Sequence, residues 1–157
     1  AVGKAATPAN LSTHDLPVAV GIDRVRRGAI RFIDLINFLF AWIRVSWSMR
    51  RRKLPERVHA IQRRKRKHAG ARFDEETTVE LVCTFRRLRC YTFVARERCL
   101  FHALVLTQLL ARYGLYPTFV MGVRLTPWGA HSWVQHGPLI LNATPASIRD
   151  FTPILAA

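Results

Sequence analysis

The chain has 157 residues, enough for one domain with a sizeable core, and Lys plus Arg outnumber Asp plus Glu by 25 to 10. A formal net charge of +15 favours an anionic partner, whether acidic peptide, nucleic acid or lipid headgroup, without choosing among them. Cys83, Cys90 and Cys99 have no CxxC spacing and no disulfide-scaffold density, which argues against a structural zinc site and for a reduced, cytosolic setting.

Residues 1–21 are punctuated by Pro8, Pro17 and Gly21 and lack the basic, apolar and cleavable order of a signal peptide, so they are expected to be a tail or linker. A first residue of Ala rather than Met fits a processed chain or a piece of a longer one. Residues 22–157 read as one domain, with 22–95 as its helical part. From Ile22 to about Met49, Ile30, Ile33, Phe38, Leu39, Trp42, Ile43 and Val45 recur at threes and fours, which predicts a helix. Its longest uncharged run, LINFLFAWI between Asp34 and Arg44, falls short of the ~18 to 20 apolar residues a membrane span requires. The expectation is a buried or protein-docking helix, with a helix lying on a membrane surface as the alternative.

Arg50 to Lys67 carries much of the excess charge, as RRRK before Pro55 and RRKRK after Gln62. Such a run is ordinarily a solvated helical face, and its functional alternative is a docking strip for an acidic peptide or a phosphate backbone. It has no interleaved aromatic residues to stack on bases and no zinc-finger, RNP or KH motif beside it, so no nucleic acid is expected as a partner. Asp74, Glu75 and Glu76 then open a helix, acidic residues being favoured in a first turn. Val79, Val82, Cys83, Phe85 and Leu88 mark its apolar side, which makes Cys83 a core residue; Cys90 has less context.

Cys99 has a better setting. A helix is expected to start near Glu97 and run through Leu100, Ala103, Leu104, Leu106, Leu109 and Leu110 to a stop at Gly114. A cysteine in the first turn lies beside unpaired backbone N–H groups and the positive end of the helix, and Arg96 and Arg98 flank it; such surroundings favour thiolate, the nucleophilic form. The competing reading is ordinary core, because Cys99, Ala103, Leu106 and Leu110 share one stripe. After Gly114 the period changes: Pro117 to Leu125, His131 to Gln135 and Leu139 to Leu141 read as strands of a small antiparallel meander, giving an α+β fold. A histidine at a strand start can take a thiol proton and return it to a leaving amine. Taken alone, His131 reads as a half-buried structural histidine.

The ordered set RERCLFHALVLTQLLARYGL, PTFVMGVR, PWGAHSWVQ, LILN and FTPIL resembles the transglutaminase-like leader peptidases of lasso-peptide biosynthesis, over about Ile30 to Leu155. The resemblance implies a papain- or transglutaminase-like α+β fold and a Cys-His-Asp triad. It also implies a bacterial cytoplasmic hydrolase with no cofactor in this chain, which removes the leader of a ribosomally made precursor peptide and frees the core for an ATP-dependent lasso cyclase. Carried over residue by residue, Cys99 is the nucleophile and His131 the base. The triad Asp position is Ala143, which cannot accept the imidazole N–H bond; Asn142 is the neighbouring candidate orienting residue, Asp150 a more distant one, and an inactivated variant the remaining explanation. Trp128 and Trp133 flank the histidine as candidate walls of the peptide groove, with sheet core the favoured role of Trp133. A winged-helix leader-recognition element is expected to act in trans or to have been removed. Its docking helix is Phe32 to Trp47, with Phe38 and Trp42 as contacts. The competing classes are a noncatalytic peptide-binding module of the same fold and a basic nucleic-acid-binding protein.

Overall fold

The computed structural model describes residues 18–19, 30–91 and 98–157, without the side chains of 18, 19 and 98. Four helices precede most of the sheet: α1 (Phe32–Arg51), α2 (Leu54–Lys67), α3 (Glu75–Leu88) and α4 (Arg98–Arg112). Their ends follow from local chemistry. α1 and α2 close on basic turns, Arg50 and Arg51 in one and Arg64 to Lys67 in the other, matching the negative end of each helix. Pro55 sits in the first turn of α2, where its missing N–H costs nothing. Asp74 caps α3 by accepting the Thr77 N–H at 3.2 Å. α4 is followed by Gly114, whose φ of +76° lets the chain reverse so that the Leu115 N–H reaches the Leu110 carbonyl at 3.1 Å.

Strands β1 (Val18–Ala19), β2 (Thr118–Arg124), β3 (Gly129–His136), β4 (Leu139–Ile140) and β5 (Thr152–Ala156) form one sheet in the order β1-β4-β3-β2-β5; a short helix, α5 (Pro145–Ile148), lies between the last two. Every pairing is antiparallel except β1 with β4. The order of helices then a small antiparallel sheet is the one expected. Two pieces were not. Val18–Ala19, within the stretch expected as a tail, pairs with Leu139 and Ile140, and FTPIL, quoted only as a motif, supplies β5. Its Pro153 fits an edge strand, where a missing N–H interrupts no second ladder.

Side chains alternate across the strands, and the two faces have different neighbours. Phe119, Val134, Leu141 and Leu155 join the main core with α1, α3 and α4. Val120, Trp133, Ile140 and Ala143 form a second cluster on the other face, completed by Ile148 and Phe151. α4 is the central rod of the main core: Leu106, Leu109 and Leu110 are fully buried, and Phe101 meets Trp42 of α1 edge-on at 6.2 Å.

Two expectations for α1 need correction. Phe38 cannot dock a partner, because it is 2% exposed and packs against Phe85 with ring centroids 6.1 Å apart. Trp42 is half-buried against Phe101 and likewise turns inward. Phe32, Ile36, Phe40, Ile43 and Trp47 point outward, spaced so that they share one stripe, with Ile33 and Leu39 also exposed beside it. By length and composition alone, α1 is also the one described helix that reaches what a membrane crossing needs, which the uncharged run between Asp34 and Arg44 did not. The reason is that 18 residues of this helix average over Asp34 and Arg44. Both of its buried polar residues, Asp34 and Asn37, are held by α4 and the turn after it. Tyr113 donates its O–H to Asp34, Asn37 donates to the Tyr113 oxygen at 2.9 Å, and Arg112 donates to Asn37 at 2.7 Å.

Candidate active site

Cys99 is the second residue of α4, half-buried, with a free thiol in the turn whose backbone N–H groups have no intrahelical partners. Of its expected neighbours, Arg96 and Glu97 and the side chain of Arg98 lie outside the described residues. Cys83 is buried on α3 and Cys90 is exposed, its sulfur 3.4 Å from the Arg86 carbonyl.

His131 is the third residue of β3, on the sheet face of Trp133 rather than that of Val134. Its ring lies 6.1 Å from Trp133 and 5.5 Å from Phe151, centroid to centroid. No hydrogen bond to the imidazole and none between His131 and Cys99 occurs among the described residues; α4 packs along β3, and that is what the two residues share. Burial disfavours the imidazolium and lowers the His131 pKa below its ordinary 6.5, so the ring is biased toward the neutral, proton-accepting form.

Ala143 is 9% exposed and belongs to the cluster of Trp133 and Phe151, the two rings that hold His131. The Asn142 carboxamide is already committed elsewhere. Its oxygen accepts the Val134 N–H at 2.7 Å while the Leu141 N–H donates to the Val134 carbonyl at 2.9 Å, so Asn142 continues the β3–β4 ladder with a side chain in place of a backbone carbonyl. That corrects the expectation that Asn142 orients the histidine. Asp150 is exposed in the turn before Phe151 and makes no hydrogen bond to His131.

Trp133 is 2% exposed and donates its indole N–H to Gln135 at 2.6 Å. It offers no surface to a peptide, so of the two roles expected for it the sheet core, under His131, is the one it takes and the groove wall is not. Trp128, 78% exposed in the turn between β2 and β3, is open to a ligand. Gly122 was quoted within GVR but given no role. It is the ladder partner of His131, and a Cβ there would meet the Trp133 ring at 3.0 Å and the Phe151 Cβ at 3.1 Å. A lone glycine inside a β-rich run was the available signal for such a close approach. Among the described residues no group of three or more His, Cys, Asp or Glu is placed to hold a metal ion.

The family model of the transglutaminase-like superfamily matches residues 37–156, which take in the head of α4, both central strands and position 143. The chain belongs to the transglutaminase-like superfamily. Its cysteine-protease-like fold supports a peptidase-like or acyl-transfer chemistry in coarse terms, carried by a transglutaminase-like domain of helices followed by a small antiparallel sheet. Neither the curated proteins nor the solved structures include a match to this chain.

Two histidines, half-buried His131 and the more exposed His136, contribute to the pH response of the transglutaminase-like domain. Burial lowers the pKa of His131, and burial together with the nearby Lys65 charge lowers that of His136, whose ring stacks on Phe73 at 3.6 Å. A depressed histidine pKa means that the unfolded chain binds protons more readily than the folded one, so stability is full above the ordinary value of 6.5 and falls as pH drops through it. Asp34 and Asp74 titrate below their ordinary 3.8 in the fold and act only in stronger acid. Urea midpoints should therefore fall between about pH 7.5 and pH 5, and less so in His136→Gln. Midpoints that rise on acidification over this range would contradict the assignment.

Proposed function

We propose that this chain is a cysteine peptidase that removes the leader from a ribosomally made lasso precursor peptide. Cys99 is the nucleophile, His131 the base, and position 143 the place of the absent triad acid. The reading is carried by one observation. Inside a single matched domain, a cysteine heads the central helix and a half-buried histidine, biased neutral, lies near the start of β3. The fuller resemblance of RERCL, GVR and AHSWVQ to leader peptidases supplies the substrate class.

In this mechanism His131 takes the proton of Cys99 and the thiolate attacks the carbonyl carbon at the leader–core junction. The tetrahedral oxyanion is stabilised by backbone N–H groups at the head of α4. Imidazolium then protonates the departing core amine, leaving the leader as a thioester on Cys99 for water to hydrolyse. The free amine passes to an ATP-dependent cyclase on another chain. A recognition element supplied in trans presents the leader and docks on the outward stripe of α1.

A noncatalytic peptide-binding module is favoured by a specific pair of observations, the alanine at position 143 and the absence of a hydrogen bond between Cys99 and His131 among the described residues. One experiment separates the two. A cognate precursor with its recognition element is incubated with this chain, with Cys99→Ala and with Phe32→Ser/Phe40→Ser/Ile43→Ser, and products are read by mass spectrometry. The peptidase reading expects leader release by this chain, none by Cys99→Ala, and weakened release by the triple variant that a fused recognition element restores. Undiminished cleavage by Cys99→Ala would overturn it, and peptide binding without turnover by every form would favour the module.

A further inference from the structure

Away from Cys99 and His131, α1, α2 and the later turns of α4 enclose a cavity of about 130 Å³. Its α4 residues run from Leu104 to Ala111, and Gln108 lies nine residues beyond Cys99, about 13 Å along the helix axis. Arg44, Arg52, Arg57, Arg64 and Lys65 line it, and no Asp or Glu does. Arg64 donates to Gln108 at 3.1 Å and Lys65 to Thr118 at 2.6 Å, both neutral acceptors. Among the described residues neither these two nor Arg44 and Arg52 form an ion pair, so the positive charge at the rim is not balanced from within. Lys65 is half-buried, and burial lowers its pKa. The floor is apolar, made by Val45, Ile61, Leu104 and Leu115.

We propose that this cavity is a binding site for an acidic peptide segment, seating one bulky apolar side chain on the floor while flanking carboxylates meet the cationic rim. Both halves of the lining select for that chemistry. An inorganic phosphate would leave the apolar floor uncovered. Single-stranded nucleic acid stacks on free aromatic platforms, yet the two aromatic rings of the lining are engaged: Tyr116 stacks on His68 at 4.4 Å, and the Arg51 guanidinium covers Trp47 at 4.7 Å. A duplex backbone, like phosphate, would leave the apolar floor uncovered. A membrane surface is flat at this scale and does not fill a concave site. The inference is independent of catalysis at Cys99, because it concerns binding and is read without turnover.

The test is fluorescence anisotropy with a labelled peptide EEDFLEDE, compared with EEDGGEDE and QQNFLQNQ. Each control should bind about tenfold or more weakly, since each lacks one of the two recognised features. Ala60→Trp and Ala111→Trp, separately, fill the cavity without altering charge, and Arg44→Glu/Arg52→Glu reverses the exposed rim; each should weaken EEDFLEDE about tenfold or more. Circular dichroism and urea midpoints identify variants that remain folded, and the two plugs and the rim variant act through different elements. Equal binding of EEDFLEDE and EEDGGEDE overturns the proposal, as does undiminished binding by a folded plug variant. So does tighter binding of duplex DNA or of phosphatidylserine vesicles that the plugs leave unchanged.

Discussion

Ala143→Asp should accelerate leader cleavage by about 100-fold or more over the present chain, the order of effect that a triad carboxylate has on its histidine. The position belongs to the cluster of Trp133 and Phe151, on which the His131 ring packs, so a carboxylate there stands on the imidazole's own side of the sheet. It would accept the ring N–H, fix the tautomer, and stabilise the imidazolium formed when the thiol proton arrives. The same charge opposes the effect of burial on His131, so the acid limb of the pH–rate profile should move upward in Ala143→Asp. Stability should move the other way. Val120, Trp133 and Ile140 surround the position with apolar surface, and placing a carboxylate among them costs on the order of 1–3 kcal/mol unless the histidine offsets it. Faster cleavage with a lower urea midpoint is the expected pair. An unchanged rate and an unmoved acid limb would remove position 143 from the mechanism.

Asp34→Ala should destabilise the fold by about 3 kcal/mol, one of the larger losses available to a single polar side chain. Burial alone raises the pKa of Asp34, yet hydrogen bonds from Arg31 and Tyr113 outweigh that and hold it below the ordinary carboxylate value. The ion pair with Arg31, at 3.0 Å, contributes little because the Arg31 side chain is largely in water. The bond from Tyr113 dominates, since removing the carboxylate strands that hydroxyl next to Asn37 in the seam between α1 and α4. Tyr113→Phe should accordingly cost about 1–2 kcal/mol, and Asp34→Asn, which keeps an acceptor, less than Asp34→Ala. Urea titrations of the three variants check the order. Equal losses in Asp34→Asn and Asp34→Ala would assign the effect to charge.

Sequence pattern carried the chain a good way. The 3.6 period through Phe38 and Val45, the acidic opening at Asp74 and the stop at Gly114 each encode a local backbone preference, and each element formed where its signal lay. Direction around a helix was less legible. α1 is apolar nearly all round, so the pattern could not say that Phe38 faces Phe85 while Phe40 faces outward. Long-range pairings were not legible at all. Asp34 reads as a charge interrupting an apolar run until Tyr113, 79 positions later, is placed against it. Cys99 and His131 stood out because each chemistry-bearing type sits at the start of an element. Their mutual placement depends on how α4 crosses the sheet, which no spacing of residues records.

Positions 142 and 143 are adjacent in the chain and opposite in their tolerance of change. Asn142 lends its oxygen to the backbone of β3, so a substitution there opens a rung of the sheet, whatever it does for the histidine. Ala143 has no hydrogen-bonding side-chain atom and packs in an apolar cluster. Drift in this part of the domain should therefore accumulate at position 143 and spare position 142, so under the proposed mechanism a chain of this design would lose its catalytic acid and keep its fold.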